Sequence, residues 1–374
     1  MFPGEPQVMS YHSTKVCDPK IPAQAKGVCQ SDESRISMAR ADSKRVSMDP
    51  NQYWSASGAT RMLVDPNIQP QSQDELVLGG EYEVFPDGRV GAQYTHRYLV
   101  DVVEDMSRDE GSTYFLGNPG SGIAKDFPRA KRDYDALALF FTKGFSDGWL
   151  AQVSYTLSYL RGNIGGLYRA ETGQLDPNIT SDFDLRSAMV NRYGPLGGDT
   201  THELKVYAAR DVLLSELFRG LDDMRVNVGV GYRGTSGGPT SFLASHYRYG
   251  PNEVHVLPRG SGERLPFVHR FDTHVEYDLL LSKGATLAVY MDVFNLFNFQ
   301  QVTGVNQSYT ASELRPIVGG KPIRGEDGKL TPDPALLVHP DGTPFDPAEK
   351  NPAFGRPTGY QTPRTFRFGA RVTF

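Results

Sequence analysis

The chain has 374 residues, a formal net charge of -5 and a mean hydropathy of -0.43. Acidic residues outnumber basic residues 44 to 39, so we expect no basic face for nucleic acid. No apolar run reaches the roughly 18 residues of a transmembrane helix. A membrane barrel remains compatible with this sequence, because the strands of a barrel alternate apolar with polar residues.

The first 70 residues show no sustained periodicity, and Ser, Asp, Pro and Arg dominate, which predicts an irregular segment over residues 1–70 like a long surface loop. The chain starts without a charged leader followed by an apolar core, so we expect either a protein that stays inside the cell or a parent protein whose start is missing. Cys17 and Cys29 are the candidate disulfide pair; in the cytosol they would remain two thiols. Only His12 lies near them among the histidines, which argues against zinc.

From residue 71 onward, apolar and polar residues alternate with period two in nine stretches, which predicts nine β-strands. The 39 glycines, 26 prolines and 11% aromatic residues also favour an all-β fold. In one stretch the alternation is poor and does not distinguish the two faces; this is the strand at 131–143. The predicted strands cover residues 76–84, 90–102, 131–143, 151–159, 203–208, 225–233, 270–279, 286–293 and 365–374.

The connections between these strands alternate between short turns and long loops. In an up-and-down meander, this order places every short turn at one end and every long loop at the other, as in outer-membrane barrels. The sequence therefore predicts, over residues 71–374, an antiparallel up-and-down transmembrane β-barrel segment of about nine strands with long external loops. The long loops are 106–130, 163–199, 235–266 and 298–362.

One face of the predicted strands carries full charges, among them Glu81, Arg97, Asp272, Arg367 and Arg371. An arginine facing lipid costs about 2–4 kcal/mol at mid-membrane, so these side chains are expected to face a wet interior. Because bacterial single-chain barrels generally have an even number of strands, nine strands predict the C-terminal part of a larger barrel.

The chain ends with strict alternation and an aromatic residue. Phe366, Phe368 and Phe374 lie on the apolar face, and an aromatic ring at a strand end suits the membrane–water interface. An ordinary final strand of a soluble sandwich is the alternative interpretation of this stretch.

Several segments resemble TonB-dependent outer-membrane receptors. Residues 64–71 (VDPNIQPQ) and 75–79 (ELVLG) are similar to their NPxLKPE…ELG segment. Residues 292–298 (DVFNLFN) resemble the penultimate-strand motif, and residues 351–357 (NPAFGRP) followed by 363–368 (PRTFRF) resemble the terminal strand. The similarity covers about residues 64–374. Within the family, the Oar-like branch fits best, through residues 182–186 (DFDLR) and 193–196 (YGPL).

The resemblance implies a receptor or transporter of about 22 strands with a plugged lumen, which serves energised uptake of a bulky nutrient or surface contact. An inner-membrane TonB complex that contacts an N-terminal TonB box would supply the energy. No plug and no TonB box is recognisable here, so we expect TonB contact only through a missing N-terminal part. The resemblance also implies that outer-membrane lipid surrounds the barrel and that the barrel-assembly machinery reads the terminal signal, Phe366, Phe368 and Phe374. No cofactor is implied.

The sequence gives only weak indications of a metal site or a catalytic site. Asp176, Asn178, Asp182 and Asp184 crowd one loop, but their spacing does not match a calcium-binding loop, so solvated acids are the favoured interpretation. Separate solvated histidines are similarly favoured over a metal site for His246, His255, His269 and His274. The sequence contains no nucleophile elbow and no zinc-binding helix motif, so we predict that the chain is not an enzyme. The one candidate catalytic cluster is His269, Asp272 and His274.

Two other hypotheses stay open from the sequence. A self-contained small outer-membrane barrel could carry adhesive or hydrolytic external loops. A soluble all-β binding protein would explain the alternation without a membrane. Tyr and Phe residues in the loops 106–130 and 235–266 would contact a ligand or cover the barrel mouth. The transported substrate is not readable from the sequence.

Overall fold

A computed structural model describes residues 63–374 except 112, 167, 170–173, 176–179, 215–223 and 283, and four short strands before residue 63. The chain divides into two compact units, Met1–Leu63 and Val64–Phe374. In the first unit, two pairs of short strands are antiparallel; they are Ser10–Ser13 with Tyr53–Ser57, and Val16–Cys17 with Ser47–Met48. Within the described residues, no helix is long and apolar enough to cross a membrane.

The second unit is built on an antiparallel sheet in which nine long strands each pair with their neighbours in sequence. The nine predicted strands are confirmed, and most of them are longer than predicted. The fifth strand, predicted over 203–208, runs over His202–Leu213. A short tenth strand, Gly194–Pro195, pairs with the fourth. In order, the nine strands are Ser72–Phe85, Gly88–Asp101, Arg132–Ser146, Trp149–Gly162, His202–Leu213, Met224–Thr235, Val268–Ser282, Ala285–Phe294 and Thr365–Thr373.

The first and ninth strands are the two ends of this sheet, and no pairing between them closes it within the described residues. The strands have the length of a tilted membrane crossing, which takes about 9–11 residues. The structure is therefore an open, all-β sheet whose strands are long enough to cross a membrane.

The connections at the two ends of the strands differ in length, as predicted. Strands one and two, three and four, and seven and eight are joined by short turns, and strands five and six by residues 214–223. The other end carries four long segments, here called the loop layer. It consists of residues 102–131, 163–201, 236–267 and 295–364.

The register separates a charged face from an apolar face. On the charged face, ion pairs link neighbouring strands: Arg367 Nε lies 2.7 Å from Asp292, and Arg233 Nη2 lies 2.7 Å from Glu203. On the other face, apolar side chains of every long strand except the fifth are exposed, such as Val230 at 52%. Ionic groups across strands and apolar groups outside are the arrangement of a wet lumen and a lipid-facing wall.

The third strand shows why its alternation was hard to interpret. Leu137 and Leu139 lie on the outer, apolar face and are exposed. On the charged face, which we also call the inner face, Phe140 lies opposite Gly91 of the second strand. Its ring occupies the space where a side chain at Gly91 would lie. The inner face is locally apolar because an aromatic ring fills the gap left by a glycine.

The loop layer is packed and contains short strands and 3₁₀ helices where long loops were predicted. One hydrophobic core joins the first two long segments around Met106, Phe115 and Phe183. The described strands of the layer and its entry are Leu63–Val64, Glu104–Met106, Phe115–Gly117, Tyr168–Arg169, Gln174–Leu175, Leu243–His246, Gly250–His255, Val302–Val305, Ser308–Glu313, Ile323–Arg324, Leu330–Thr331 and Pro357–Tyr360. The 3₁₀ helices are Gly122–Ala124, Ser187–Met189, Pro334–Leu336 and Pro347–Glu349.

Candidate ligand site in the loop layer

The third and fourth long segments share a small sheet and a second hydrophobic core. Strand Leu243–His246 lies between Gly250–His255 and Ser308–Glu313, pairing antiparallel with the first and parallel with the second. Asn191 of the second long segment donates its side-chain N–H groups to backbone carbonyls of the third and fourth segments. The acceptors include Val256 at 3.2 Å and Ile317 at 3.1 Å. Three of the four long segments are thus tied together at one place.

Aromatic rings form the centre of this second core. Phe242 and Phe354 stack at 5.6 Å between ring centroids, and Tyr309 meets both rings edge-on at 6.1 and 5.3 Å. Phe345 lies 6.0 Å from Tyr309. Such offset and edge-to-face pairs each add about 0.5–1.5 kcal/mol beyond burial. The cluster is therefore a rigid apolar surface.

A cavity of about 730 Å³ opens over these rings. All its lining residues belong to the third and fourth long segments, within 240–266 and 302–357, and none to the nine sheet strands. The charged lining residues are Glu263, Arg264, Glu326, Asp327, Lys329 and Lys350. A concave, mostly apolar space of this size with a few charged groups is typical of a small-molecule site.

The charges at the cavity are not equivalent. Arg264 is paired with the buried carboxylate of Asp199, and Glu263 lies 3.6 Å from Arg324. Lys350 instead places its ammonium over two rings of the cavity, 5.5 Å from Tyr309 and 5.8 Å from Phe354. This cation–π geometry holds a positive charge above an apolar floor.

Tyr309 links the floor to the cavity wall. Burial raises the pKa of its phenol, while a hydrogen bond with Thr331 acts in the opposite sense. The hydroxyl therefore stays protonated at neutral pH. It joins the ring cluster to the hairpin Ile323–Arg324 and Leu330–Thr331, whose turn contributes Glu326 and Asp327 to the cavity.

A buried ion network lies on the other side of the same small sheet. The Arg192 guanidinium, with a side chain 1% exposed, contacts the Asp182 carboxylate and lies 3.3 Å from Glu253. Arg259 approaches Asp182 to 3.5 Å, and its Nε donates to His255 Nε2 at 3.3 Å. Buried charges need such partners, so the network fixes the relative position of the second and third long segments.

A second buried acidic group joins the first two segments. Glu104 accepts hydrogen bonds from the Thr180 backbone N–H at 2.9 Å and from its hydroxyl at 3.0 Å. Burial raises the pKa of Glu104 to about 9 against these hydrogen bonds. Burial likewise raises the pKa of Asp184, which lies beside Asp105 and accepts a 2.6 Å hydrogen bond from Tyr249. These groups hold the loop layer together.

The acidic loop residues from the sequence analysis are thus not solvated. Asp182 lies in the ion network and Asp184 in the hydrogen-bonded acidic pair, because both are packed between long segments. That expectation was wrong for these two residues. Asp176 and Asn178 lie outside the described residues. Within the described residues, no three His, Cys, Asp or Glu side chains are arranged to hold a metal ion.

The candidate histidines each have a different partner. His246 shares a 2.8 Å hydrogen bond with Ser187, and His255 contacts Arg259 in the buried network. Separately, His269 pairs with the Tyr232 hydroxyl at 2.9 Å, whereas His274 pairs with Asp292 at 2.7 Å. Asp272 accepts from the Asn295 backbone N–H at 2.8 Å. His269, Asp272 and His274 therefore do not converge.

The terminal aromatic residues lie on the apolar face or beyond it. Phe366 and Phe368 are 54% and 73% exposed on the ninth strand, and Phe374 follows its end. Their role as an assembly signal stays a prediction. Cys17 lies in a short strand of the first unit, and Cys29 lies outside the described residues, so their pairing also stays a prediction.

No family model matches the chain. Over its whole length, the chain is 42% identical, in an alignment of 384 residues, to the TonB-dependent transporter Oar of Myxococcus xanthus. The chain is a homologue of TonB-dependent outer-membrane transporters. It covers 35% of that relative, and its open nine-stranded wall corresponds to a barrel portion. The resemblance predicted from the sequence motifs and the location in the outer membrane are confirmed.

Solved structures overlap with this TonB-dependent transporter homologue only in part. The outer membrane transporter YddB from Escherichia coli is 11% identical, with 82% of this chain and 33% of that chain covered and a TM-score of 0.42. The ferric-catecholate import receptor Fiu from E. coli K12 is 15% identical, with coverages of 65% and 26% and a TM-score of 0.36. The identification rests on the sequence homology rather than on these overlaps.

Sequence reasoning missed the residues that line the cavity. Tyr309, Phe345, Lys350 and Phe354 all lie in the fourth long segment, which carries no strand-like alternation and was treated as one loop. A local signal was present: Asp333 and Asp346 each precede a proline and cap a 3₁₀ helix by accepting a backbone N–H. Aspartate followed by proline marks an ordered turn and is a sign of structure within a long loop.

Proposed function

We propose that the chain supplies the C-terminal barrel wall and the external loops of a TonB-dependent transporter that takes up a bulky nutrient. The single observation behind this proposal is the 42% identity to a TonB-dependent transporter along the whole chain. The open ends of the nine-stranded sheet support it, because the remaining strands of a closed barrel would pair there. The cavity in the loop layer gives the external side a place to hold a ligand.

The same proposal assigns the partners. Outer-membrane lipid covers the apolar face, and the barrel-assembly machinery reads Phe366, Phe368 and Phe374. The TonB complex contacts a segment of the complete protein outside this chain. We propose no catalytic role, because the relative is a transporter and the candidate histidines and acids have separate structural partners.

The test compares what cells leave in their growth medium. If the complete protein is a TonB-dependent transporter, a strain lacking its gene and a strain lacking TonB leave the same compound unconsumed, as measured by mass spectrometry of spent medium. Returning the gene restores consumption only when TonB is present. Two strains that share no unconsumed compound would contradict energised uptake.

A self-contained small barrel is the alternative. Residues 1–374 produced alone would then fold in detergent and migrate differently before and after heating. We expect instead that the isolated segment shows no heat-modifiable migration, since its first and ninth strands lack partners.

A further inference from the structure

We propose that the loop cavity binds a small zwitterionic amphiphile, of which a short peptide with an aromatic side chain is the simplest example. The inference rests on the proposed function, because it names a ligand class for the external side of the transporter. The third and fourth long segments supply all of the cavity lining, and the nine sheet strands supply none.

The floor of the cavity selects a flat apolar group. Phe242 and Tyr309 are 1% and 3% exposed and are fixed in place by stacked and edge-on contacts with Phe354. Leu337 and Phe345, also buried, complete the floor. Phe354 is the partly buried ring of this cluster and lines the cavity, so it is the ring against which a ligand ring can pack.

The charged lining residues select a ligand with both signs of charge. Lys350 and Lys329 are exposed cations without a described carboxylate partner, and Lys350 already lies over the aromatic floor. On the hairpin turn, Glu326 and Asp327 are exposed acids of the same cavity. A carboxylate on the ligand can bind Lys350 and an ammonium can bind Glu326, each through a charge-assisted hydrogen bond.

Size sets the upper limit of the ligand. A cavity of about 730 Å³ is within the roughly 300–1,000 Å³ of small-molecule sites and is too small for a folded protein. The lining contains no metal-binding group of three His, Cys, Asp or Glu in the described part of the chain. A free-ended peptide of two or three residues combines the two charges, the ring and this size.

The experiment measures binding of the tripeptide Ala-Phe-Ala to the complete protein purified from outer membranes in detergent, by isothermal titration calorimetry. We expect Lys350→Gln to weaken binding about 10-fold, or about 1.4 kcal/mol, through the loss of one charge-assisted hydrogen bond. Glu326→Gln should weaken binding similarly. The control Lys321→Gln removes an exposed lysine of the same segment outside the cavity and should leave binding unchanged.

Blocked peptides assign each charge. C-amidated Ala-Phe-Ala should bind about 10-fold more weakly to the unaltered protein, and Lys350→Gln should then cost nothing further. N-acetylated Ala-Phe-Ala should be insensitive to Glu326→Gln in the same way. The peptide Ala-Ala-Ala should not bind, because it lacks the ring.

Absence of binding by Ala-Phe-Ala, or binding that Lys350→Gln and Glu326→Gln leave unchanged, would overturn the inference. These outcomes are distinct from failure of the proposed function. TonB-dependent consumption of a compound without peptide binding would leave the transporter standing and remove this ligand class. Peptide binding at the cavity without TonB-dependent consumption would do the opposite.

Discussion

At the scale of single residues, Arg192 is a fully buried cation that joins two long segments of the loop layer. Its guanidinium is the cation shared by Asp182 and Glu253, and breaking a buried pair of this kind costs about 3–5 kcal/mol. We expect Arg192→Met to cost near the lower end of this range, because Arg259 still lies 3.5 Å from Asp182. Hydrogen exchange of the complete protein should show lost protection in the loop layer and retained protection in the sheet.

A neighbouring arginine gives the matched control. Arg186 pairs with Asp126, but both side chains are well exposed, at 45% and 38%. An exposed pair contributes about 0–1 kcal/mol, so Arg186→Met should leave the exchange pattern nearly unchanged. Equal effects of the two substitutions would contradict the role given to burial.

Glu104 makes the loop layer sensitive to pH. Its pKa is about 9 when buried and 4.5 ordinarily, so the folded state holds a proton over a window in which the unfolded state has lost it. Stability of the loop layer should therefore be full below about pH 4.5 and fall as pH rises to about 9, by at most about 1.4 kcal/mol per pH unit.

The substitution Glu104→Gln tests this. An amide cannot ionise, and its N–H can donate to the Thr180 hydroxyl while its oxygen accepts the Thr180 backbone N–H. Exchange protection of residues 104–106 should then vary less with pH between 5 and 9 than in the unaltered protein. An unchanged slope would mean that another group, such as Asp184, is responsible.

At the scale of elements, two glycines on the inner face of the sheet are each paired with an aromatic ring on an adjacent strand. Added to Gly91, a Cβ atom would lie 2.3 Å from the Phe140 ring, and at Gly369 it would lie 2.2 Å from the Tyr290 ring. Gly80, on the outer face of the first strand, has nothing within 4 Å. The pairs therefore fit neighbouring strands together.

We expect Gly91→Ala to destabilise the barrel by about 1–3 kcal/mol, as overpacking does, and Gly80→Ala to have little effect. The measurement is the temperature at which the complete protein loses heat-modifiable migration. Adding Phe140→Ala to Gly91→Ala should recover part of the loss, since the clash goes with the ring. A double variant no better than Gly91→Ala would show that the ring is not the cause.

The same elements show how far the sequence determines the fold. Strands such as Met224–Thr235 were predictable because an alternation of period two is local and appears within a few residues. The faces of Arg132–Ser146 were not, because Phe140 is placed by a glycine on another strand. The buried pairs of Arg192 were not predictable either, since Glu253 is far along the chain and no local pattern links them.

At the scale of the whole molecule, the proposed function places lipid against the apolar face of the sheet and water against the charged face. Val230 and Asn227 lie on the same strand and on opposite faces: Val230 is 52% exposed on the apolar face, and Asn227 donates to Asp211 on the charged face. An arginine costs about 2–4 kcal/mol on the lipid face near mid-membrane and little in a wet lumen.

We therefore expect Val230→Arg to reduce the amount of folded protein in the outer membrane strongly and Asn227→Arg to be tolerated. Nitroxide labels at the two positions in reconstituted membranes report the surroundings directly. The label at Val230 should be relaxed by oxygen dissolved in lipid, and the label at Asn227 by a water-soluble nickel chelate. If both labels responded to the nickel chelate alone, no lipid-facing wall would exist. The chain would then have a fold different from that of the TonB-dependent transporter to which it is similar in sequence.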